Sequence, residues 1–169
     1  MTLTDSQLGP MVRRLRVAEI MDENIPVLRN SAPVSRAGEL FAAHPIYSLP
    51  VVDQEGVLQG VISHKYLYKT QSPRRVLTPE IAALPGILLE GDYYYDKDAL
   101  DRYALKDIMN TQPVTISPEA TVAEAIALMS ERKVGCVPVL KGNRKVVGML
   151  TQQNIVDTLA AVLAREDAS

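Results

Sequence analysis

Thr151 and Asn154 stand three positions apart in Gly148-Met-Leu-Thr151-Gln-Gln-Asn154, where an apolar run gives way to a helical pattern. A hydroxyl at a helix start joins unsatisfied backbone N–H groups and the positive end of the helix dipole, a setting that favours a phosphate. A carboxamide on the first turn offers one donor and one acceptor, which suits the two hydroxyls of a ribose. The same pair also serves any well-made helix start, with Thr as the cap and a polar residue three positions on. The residues leave both readings open. Gly60-Val-Ile-Ser63-His-Lys-Tyr66 keeps the hydroxyl but puts Tyr66 in the place of the amide. A second pair of segments, Cys136-Val137-Pro138-Val139 and Ser48-Leu49-Pro50-Val51, carries a proline inside an apolar strand. Proline removes a backbone donor and holds the residue before it extended, so it belongs at a sheet edge or where pairing stops. Such an edge, lined by aliphatic side chains, makes a slot for a flat purine; equally, the proline guards the edge against aggregation.

These residues sit at equivalent places in an internal repeat. Val17-Ala-Glu-Ile-Met21 matches Leu105-Lys-Asp-Ile-Met109, and the same shift aligns Val34 with Val122, Leu40 with Leu128, Pro50 with Pro138 and Gly60 with Gly148. A slip of one residue after the methionines sets Pro26 against Pro113 and Leu28 against Thr115. Each copy reads as a short helix, an extended run, an amphipathic helix, two apolar strands around a polar turn, and a final helix. Thr121-Val-Ala-Glu124 is a capping box. Gly38 weakens the matching helix of the first copy and Pro45 ends it. Two copies of this size are too small to be secure alone, so a shared core is expected. The boundaries follow as an N-terminal arm over 1–16, a first repeat over 17–69, an insert over 70–104 and a second repeat with the C-terminal helix over 105–169. Within the insert, Thr78-Pro79 starts a helix, Asp96 caps another, and Gly91-Asp-Tyr-Tyr-Tyr95 fits no clear period. The insert reads as an elaborated linker packed on the repeats, or as a lid or partner-contact surface.

Composition narrows the function classes. Hydrophobic residues make up 47% and charged residues 22% of the 169, the balance of a folded globular chain. No apolar stretch approaches the roughly 20 residues of a membrane span, and the N-terminus has no secretory apolar core, so the expected compartment is the cytoplasm with no membrane partner. A net charge of −2 without a broad basic face argues against nucleic acid as the main partner. One cysteine and two histidines supply neither an internal disulfide nor a histidine/cysteine zinc cage. No nucleophile–base pair or metal cluster is legible, so no enzyme activity, no metal and no catalytic residue are expected.

Taken together, Ile20-Met21, Asp107-Ile-Met109, Pro113-Val-Thr-Ile-Ser-Pro118, Leu49-Pro-Val-Val-Asp53, Val137-Pro-Val139 and the two glycine-to-helix junctions resemble a tandem pair of cystathionine-β-synthase (CBS) domains, a stand-alone Bateman module. The resemblance covers about Val17–Tyr68 and Leu105–Ala161. It implies an α+β fold: two repeats, each helix-β-α-β-β-α, packed through their sheets with pseudo-twofold symmetry, and often dimerised. It implies a regulatory module that binds an adenosine compound (AMP, ADP, ATP or S-adenosylmethionine) in clefts between the repeats. Such a module needs no cofactor and signals to a regulated partner protein. The alternative is a protein-interaction adaptor with degenerate, ligand-free clefts, using Arg13-Arg-Leu-Arg16 and the tyrosine-rich insert as contact surfaces. Carried over by motif, Thr151 matches the phosphate-side hydroxyl and Asn154 the ribose-binding carboxylate. Thr115, Ile116, Cys136, Val137 and Pro138 fall at or beside the adenine-lining positions. In the first copy Ser48, Leu49, Pro50 and Ser63 match a weaker second site. There Tyr66 at the ribose position, and Leu28 in the place of Thr115, argue against tight binding.

Overall fold

The computed structural model describes residues 8–166, so the first seven residues of the arm and the last three of the second repeat lie outside the described residues. The chain divides into two compact units, Met1–Ile25 with Pro113–Ser169, and Pro26–Gln112. These boundaries cut across the repeats, because the lead-in of each copy folds with the other copy. Each unit has its own buried cluster, and each cluster draws on both copies. One holds Val17 from the first copy among Ala125, Met129, Val137, Val139, Leu150 and Ile155; the other holds Leu105 from the second copy among Leu28, Val34, Leu49, Ile62 and Leu67.

In the first unit, helix α1 (Leu8–Arg14) packs on the helix Val122–Arg132, and a 3-10 turn follows at Val17–Glu19. In the second unit, β1 (Leu28–Arg29) runs parallel to β2 (Ser48–Val52), with α2 (Val34–Ala43) between them, and β3 (Leu58–Ser63) closes an antiparallel hairpin with β2. Helix α3 (His64–Thr70) follows. The insert is part of this unit's core. Its strands β4 (Arg74–Arg75), β5 (Ile87–Glu90) and β6 (Tyr93–Asp96) form a sheet of order β4-β6-β5, with α4 (Pro79–Ala82) and α5 (Lys97–Leu100) at its ends. Leu88, Tyr95 and Leu100 bury into the cluster with Val34 and Ala37. Gly38 has its explanation here: a Cβ on it would meet Leu88 Cδ2 at 2.3 Å, so the helix-weakening residue is what lets β5 approach α2.

Polar bonds fasten the insert to α2. The residue at the N-cap of α2 is Pro33, which has no side chain to cap with. Asp101 takes over that role: its Oδ1 accepts the Ser35 N–H at 2.7 Å and its Oδ2 the Ser35 hydroxyl at 2.8 Å. Lys97 Nζ lies 2.7 Å from Glu39 Oε1 and holds that carboxyl below the usual carboxylate range, with Arg36 helping.

The second copy supplies α6 (Leu105–Ile108) to this same unit. The rest of the copy builds the first unit with α7 (Val122–Arg132), the hairpin β7 (Cys136–Lys141) and β8 (Lys145–Thr151), and α8 (Gln152–Glu166). The exchange of lead-ins is symmetric in detail. Asp22 exchanges two hydrogen bonds of 2.9 Å with Met149 at the edge of β8, and Asn110 exchanges two of 2.8 and 2.9 Å with Val61 at the edge of β3. Gly148 and Gly60 make the approach possible: a Cβ would stand 2.8 Å from the Asp22 carbonyl oxygen in one case and 2.7 Å from that of Asn110 in the other.

Candidate functional site at the start of helix α8

Strand β7 gathers the second-copy residues. Cys136 lies opposite Thr151 in the β7–β8 pairing, and Val137 opposite Leu150. On the other side of β7, the Ile116 N–H donates to the Pro138 carbonyl at 3.1 Å and its carbonyl accepts the Leu140 N–H at 2.9 Å. Ile116 therefore pairs in parallel with Val139, and in the same register Thr115 stands beside Pro138, whose missing N–H ends the ladder. Pro138 thus lies where pairing on that side of β7 stops, and Pro50, on the central strand of its sheet, stands one residue before the Val51–Leu28 pair. The backbone of Ile116 is consumed by strand pairing, which leaves its side chain alone for further contact.

Thr151 and Asn154 complete each other. Asn154 Oδ1 accepts the Thr151 N–H at 2.8 Å and the Thr151 hydroxyl at 2.7 Å, while the Asn154 N–H donates to Thr151 Oγ1 at 3.2 Å. The same three bonds form between Thr121 and Glu124 at the start of α7, at 2.7, 2.9 and 3.1 Å. There the Thr121 N–H and hydroxyl hold the Glu124 carboxyl below its usual range. Because the Thr151 hydroxyl donates to Asn154, its proton is already committed. The Gln152 N–H donates to the Gly135 carbonyl at 2.9 Å, which leaves the Gln153 amide, among the described residues, as the α8 N–H without a partner. Sequence spacing alone predicts several amides and a hydroxyl donor for a phosphate at this helix start. The structure provides one amide, the positive helix end with no acidic residue in its first turn, and the Asn154 side-chain NH₂.

The first-copy junction is built differently. Ser48 lies opposite Ser63 as Cys136 lies opposite Thr151, with Leu49 and Pro50 following along β2. Tyr66 returns no acceptor to Ser63, whose hydroxyl is buried and makes no hydrogen bond among the described residues. The Tyr66 ring packs against the second unit's core, with Lys69 Nζ 4.4 Å and Lys65 Nζ 5.6 Å from its centre. From the insert, Glu90 Oε1 reaches to 2.6 Å from His64 Nε2, and Phe41 sets its ring edge-on to the imidazole at 5.4 Å. Sequence reasoning missed Glu90. Strand register also corrects the slip in the repeat: Leu28 pairs with Val51 as Ile116 pairs with Val139, so Leu28 is the counterpart of Ile116, and Val27 is that of Thr115. A surface groove of about 710 Å³ in the first unit, lined by Arg16, Met21, Glu119, Lys141 and Val147 among others, includes none of the expected site residues. No helix among the described residues is long and apolar enough to cross a membrane.

Comparison with known proteins matches two segments, residues 17–72 and 105–161, to the family described as CBS domain. A CBS domain-containing protein of Dictyostelium discoideum is 30% identical over 154 residues, with 89% of this chain and 94% of that protein aligned. Other relatives are longer: the chain spans 25% of a homoserine O-acetyltransferase from Methanocorpusculum labreanum, at 24% identity over 148 residues. Two solved structures share the fold. CBSX2 in complex with AMP has a TM-score of 0.66 at 23% identity, covering 88% of this chain and 98% of that one. The CBS domain pair of protein MJ0100, in complex with 5′-methylthioadenosine and S-adenosyl-L-methionine, has a TM-score of 0.61 at 21% identity, covering 86% and 96%.

Proposed function

Because the chain belongs to the CBS domain family through both of its repeats, we propose that it is a regulatory module that binds an adenosine-containing nucleotide at the start of α8 and passes that occupancy to a partner protein. The observation that carries this reading is the convergence at one end of β7. Cys136 lies opposite Thr151 there, Thr115 falls in register beside Pro138 two residues on, and the positive end of α8 carries an uncommitted amide at Gln153 and the carboxamide of Asn154. A phosphate placed there would meet the Gln153 N–H and the helix dipole, the Asn154 NH₂ would bond a ribose oxygen, and Ile116 and Val137 would supply apolar contact for the base. AMP in CBSX2 and the two adenosine compounds in MJ0100 support the ligand class. The module works without catalysis, needs no cofactor, and acts as a homodimer. A monomer mass in light scattering at tens of micromolar would refute the last point.

One observation favours the adaptor reading instead. The Thr151–Asn154 bonds repeat those of Thr121–Glu124, a helix start that needs no ligand to account for it. Calorimetric titration of AMP, ATP and S-adenosylmethionine into the full chain and two variants separates the readings. Thr151→Ala should lower stability by about 1 kcal/mol through the lost cap, with or without ligand. Asn154→Ala should weaken binding about 2- to 13-fold, the loss of one neutral hydrogen bond of roughly 0.5–1.5 kcal/mol. Nucleotide affinity unchanged in Asn154→Ala would leave the junction a cap, and no binding by wild type would leave the chain an adaptor.

A further inference from the structure

The groove of about 710 Å³ in the first unit shares no lining residue with the start of α8, and it is built from both copies. The first-copy lead-in lines it with Arg16, Met21 and Glu23, and the second copy with Pro118, Lys141 and Val147. Its size falls among small-ligand pockets, roughly 300–1,000 Å³. Pro118 is buried, and Met21 and Val147 are half-buried, which gives the groove an apolar surface. Five charged side chains line it, and three of those residues are engaged. Arg16 Nη1 donates to the Glu119 carbonyl at 2.9 Å, Glu19 Oε2 accepts the Arg16 N–H at 2.7 Å, and Glu119 Oε2 accepts the Ser117 hydroxyl. Glu23 and Lys141 make no hydrogen bond or ion pair among the described residues. Lys141 also stands directly opposite Lys145 where the β7–β8 ladder ends. Like charges in that position repel, and an anion against Lys141 relieves the repulsion.

The groove thus offers an unpaired carboxylate, an unpaired ammonium and apolar surface. A phosphate compound would pair with Lys141 but be repelled by Glu23, and a polyamine would meet the reverse conflict. The ligand that satisfies both groups is a zwitterion with an apolar body: its ammonium bonds Glu23, its carboxylate bonds Lys141, and its side chain packs on Met21, Pro118 and Val147. We infer that the groove binds an α-amino acid or short peptide with free ends and apolar side chains, and that this ligand ties the first-copy lead-in to the β7–β8 hairpin. The site is separate from the one proposed at the start of α8 and does not rest on it.

Calorimetric titration of the full chain with millimolar leucine, leucyl-leucine and N-acetyl-leucinamide tests it. Leucine or the dipeptide should bind, and the tighter of the two identifies the source of the zwitterion. N-acetyl-leucinamide lacks both charges and should bind at least about fivefold more weakly. Glu23→Ala and Lys141→Ala should each weaken binding of the zwitterion by about fivefold; both side chains are exposed, so the fold should tolerate their loss. Hydrogen exchange should slow on binding at Asp22 and Met149, whose paired bonds join the lead-in to β8. Binding of neither zwitterion, equal binding of the blocked compound, affinity unchanged in either variant, or slowed exchange confined to β2 and β3 overturns the inference. None of these outcomes bears on AMP, which is titrated separately.

Discussion

At the residue scale, glycines mark the points where backbone must pass close to backbone. Gly148 faces the Asp22 carbonyl oxygen at 2.8 Å and Met21 Sδ at 3.0 Å from the place of a Cβ, whereas the nearest atom to a Cβ at Gly135 is Gln152 Oε1 at 3.5 Å. Gly148→Ala should therefore cost about 1–3 kcal/mol through displaced backbone, and Gly135→Ala should be close to neutral. Chemical denaturation of both variants checks the contrast; similar losses in the two would show that the Asp22 contact is not what constrains position 148. The types and spacing of Thr151, Asn154, Ser63 and Tyr66 were readable from the chain, and so was the inequality of the two junctions. Hydrogen-bond direction was not. Nothing in the string of residues says that Asn154 turns its oxygen inward and so loses the acceptor expected for a ribose diol. Nor does it show that Leu28 shares the register position of Ile116 rather than that of Thr115, because a slip of one in a loop is settled only by strand pairing.

At the element scale, α2 depends on a cap from outside its own repeat. Pro33 stands where α7 has Thr121, and Asp101 substitutes from the end of α5. Asp101→Ala should destabilise the second unit by about 1–2 kcal/mol, the range for loss of a good N-cap, and Asp101→Asn should recover part of it. Thermal melts of the three proteins measure this; an unaffected Asp101→Ala would mean that α2 does not need the cap. The Lys97–Glu39 contact adds a dependence on pH with a definite sign. Glu39 titrates lower in the folded protein than its ordinary value of 4.5, so its contribution is present above that value and is lost as pH falls through the folded one. Lys97→Ala should flatten stability against pH in this acid range and change little of its slope near neutrality. The insert is also where local sequence reading fell short. Its short helices at Pro79 and Lys97 are legible from Thr78-Pro79 and Asp96, but the hairpin does not stand out from periodicity. The signal was present in Gly91-Asp92, a two-residue turn with Gly91 at φ +57°, between Leu88–Leu89 and the tyrosines they pair with. Three consecutive tyrosines hid the alternation, because only Tyr95 of the three is buried.

At the scale of the whole molecule, the two copies are bound together by the exchange of their lead-ins. Deleting residues 1–25 should remove Val17 from one core and Asp22 from the edge of β8. Hydrogen exchange should then show lost protection across β7, β8 and α8, while β2 and β3 stay protected. Loss confined to the first copy would contradict the exchanged arrangement. The repeat itself, its element order and the position of the junctions follow from sequence periodicity, which is local. The exchange is not local: Val17 and Leu105 are equivalent residues in the repeat, and only the packed structure shows that each serves the other copy. The central claim, a nucleotide at the start of α8 and not at the start of α3, is tested most directly by following backbone and side-chain amide NMR signals of the full chain as AMP is added. The account predicts shifts concentrated at the Gln153 amide, the Asn154 side-chain NH₂, Thr115 and Cys136, with Ser63 and Tyr66 little changed. Shifts confined to Ser48, Ser63 and Tyr66, or none at saturating AMP, would contradict it.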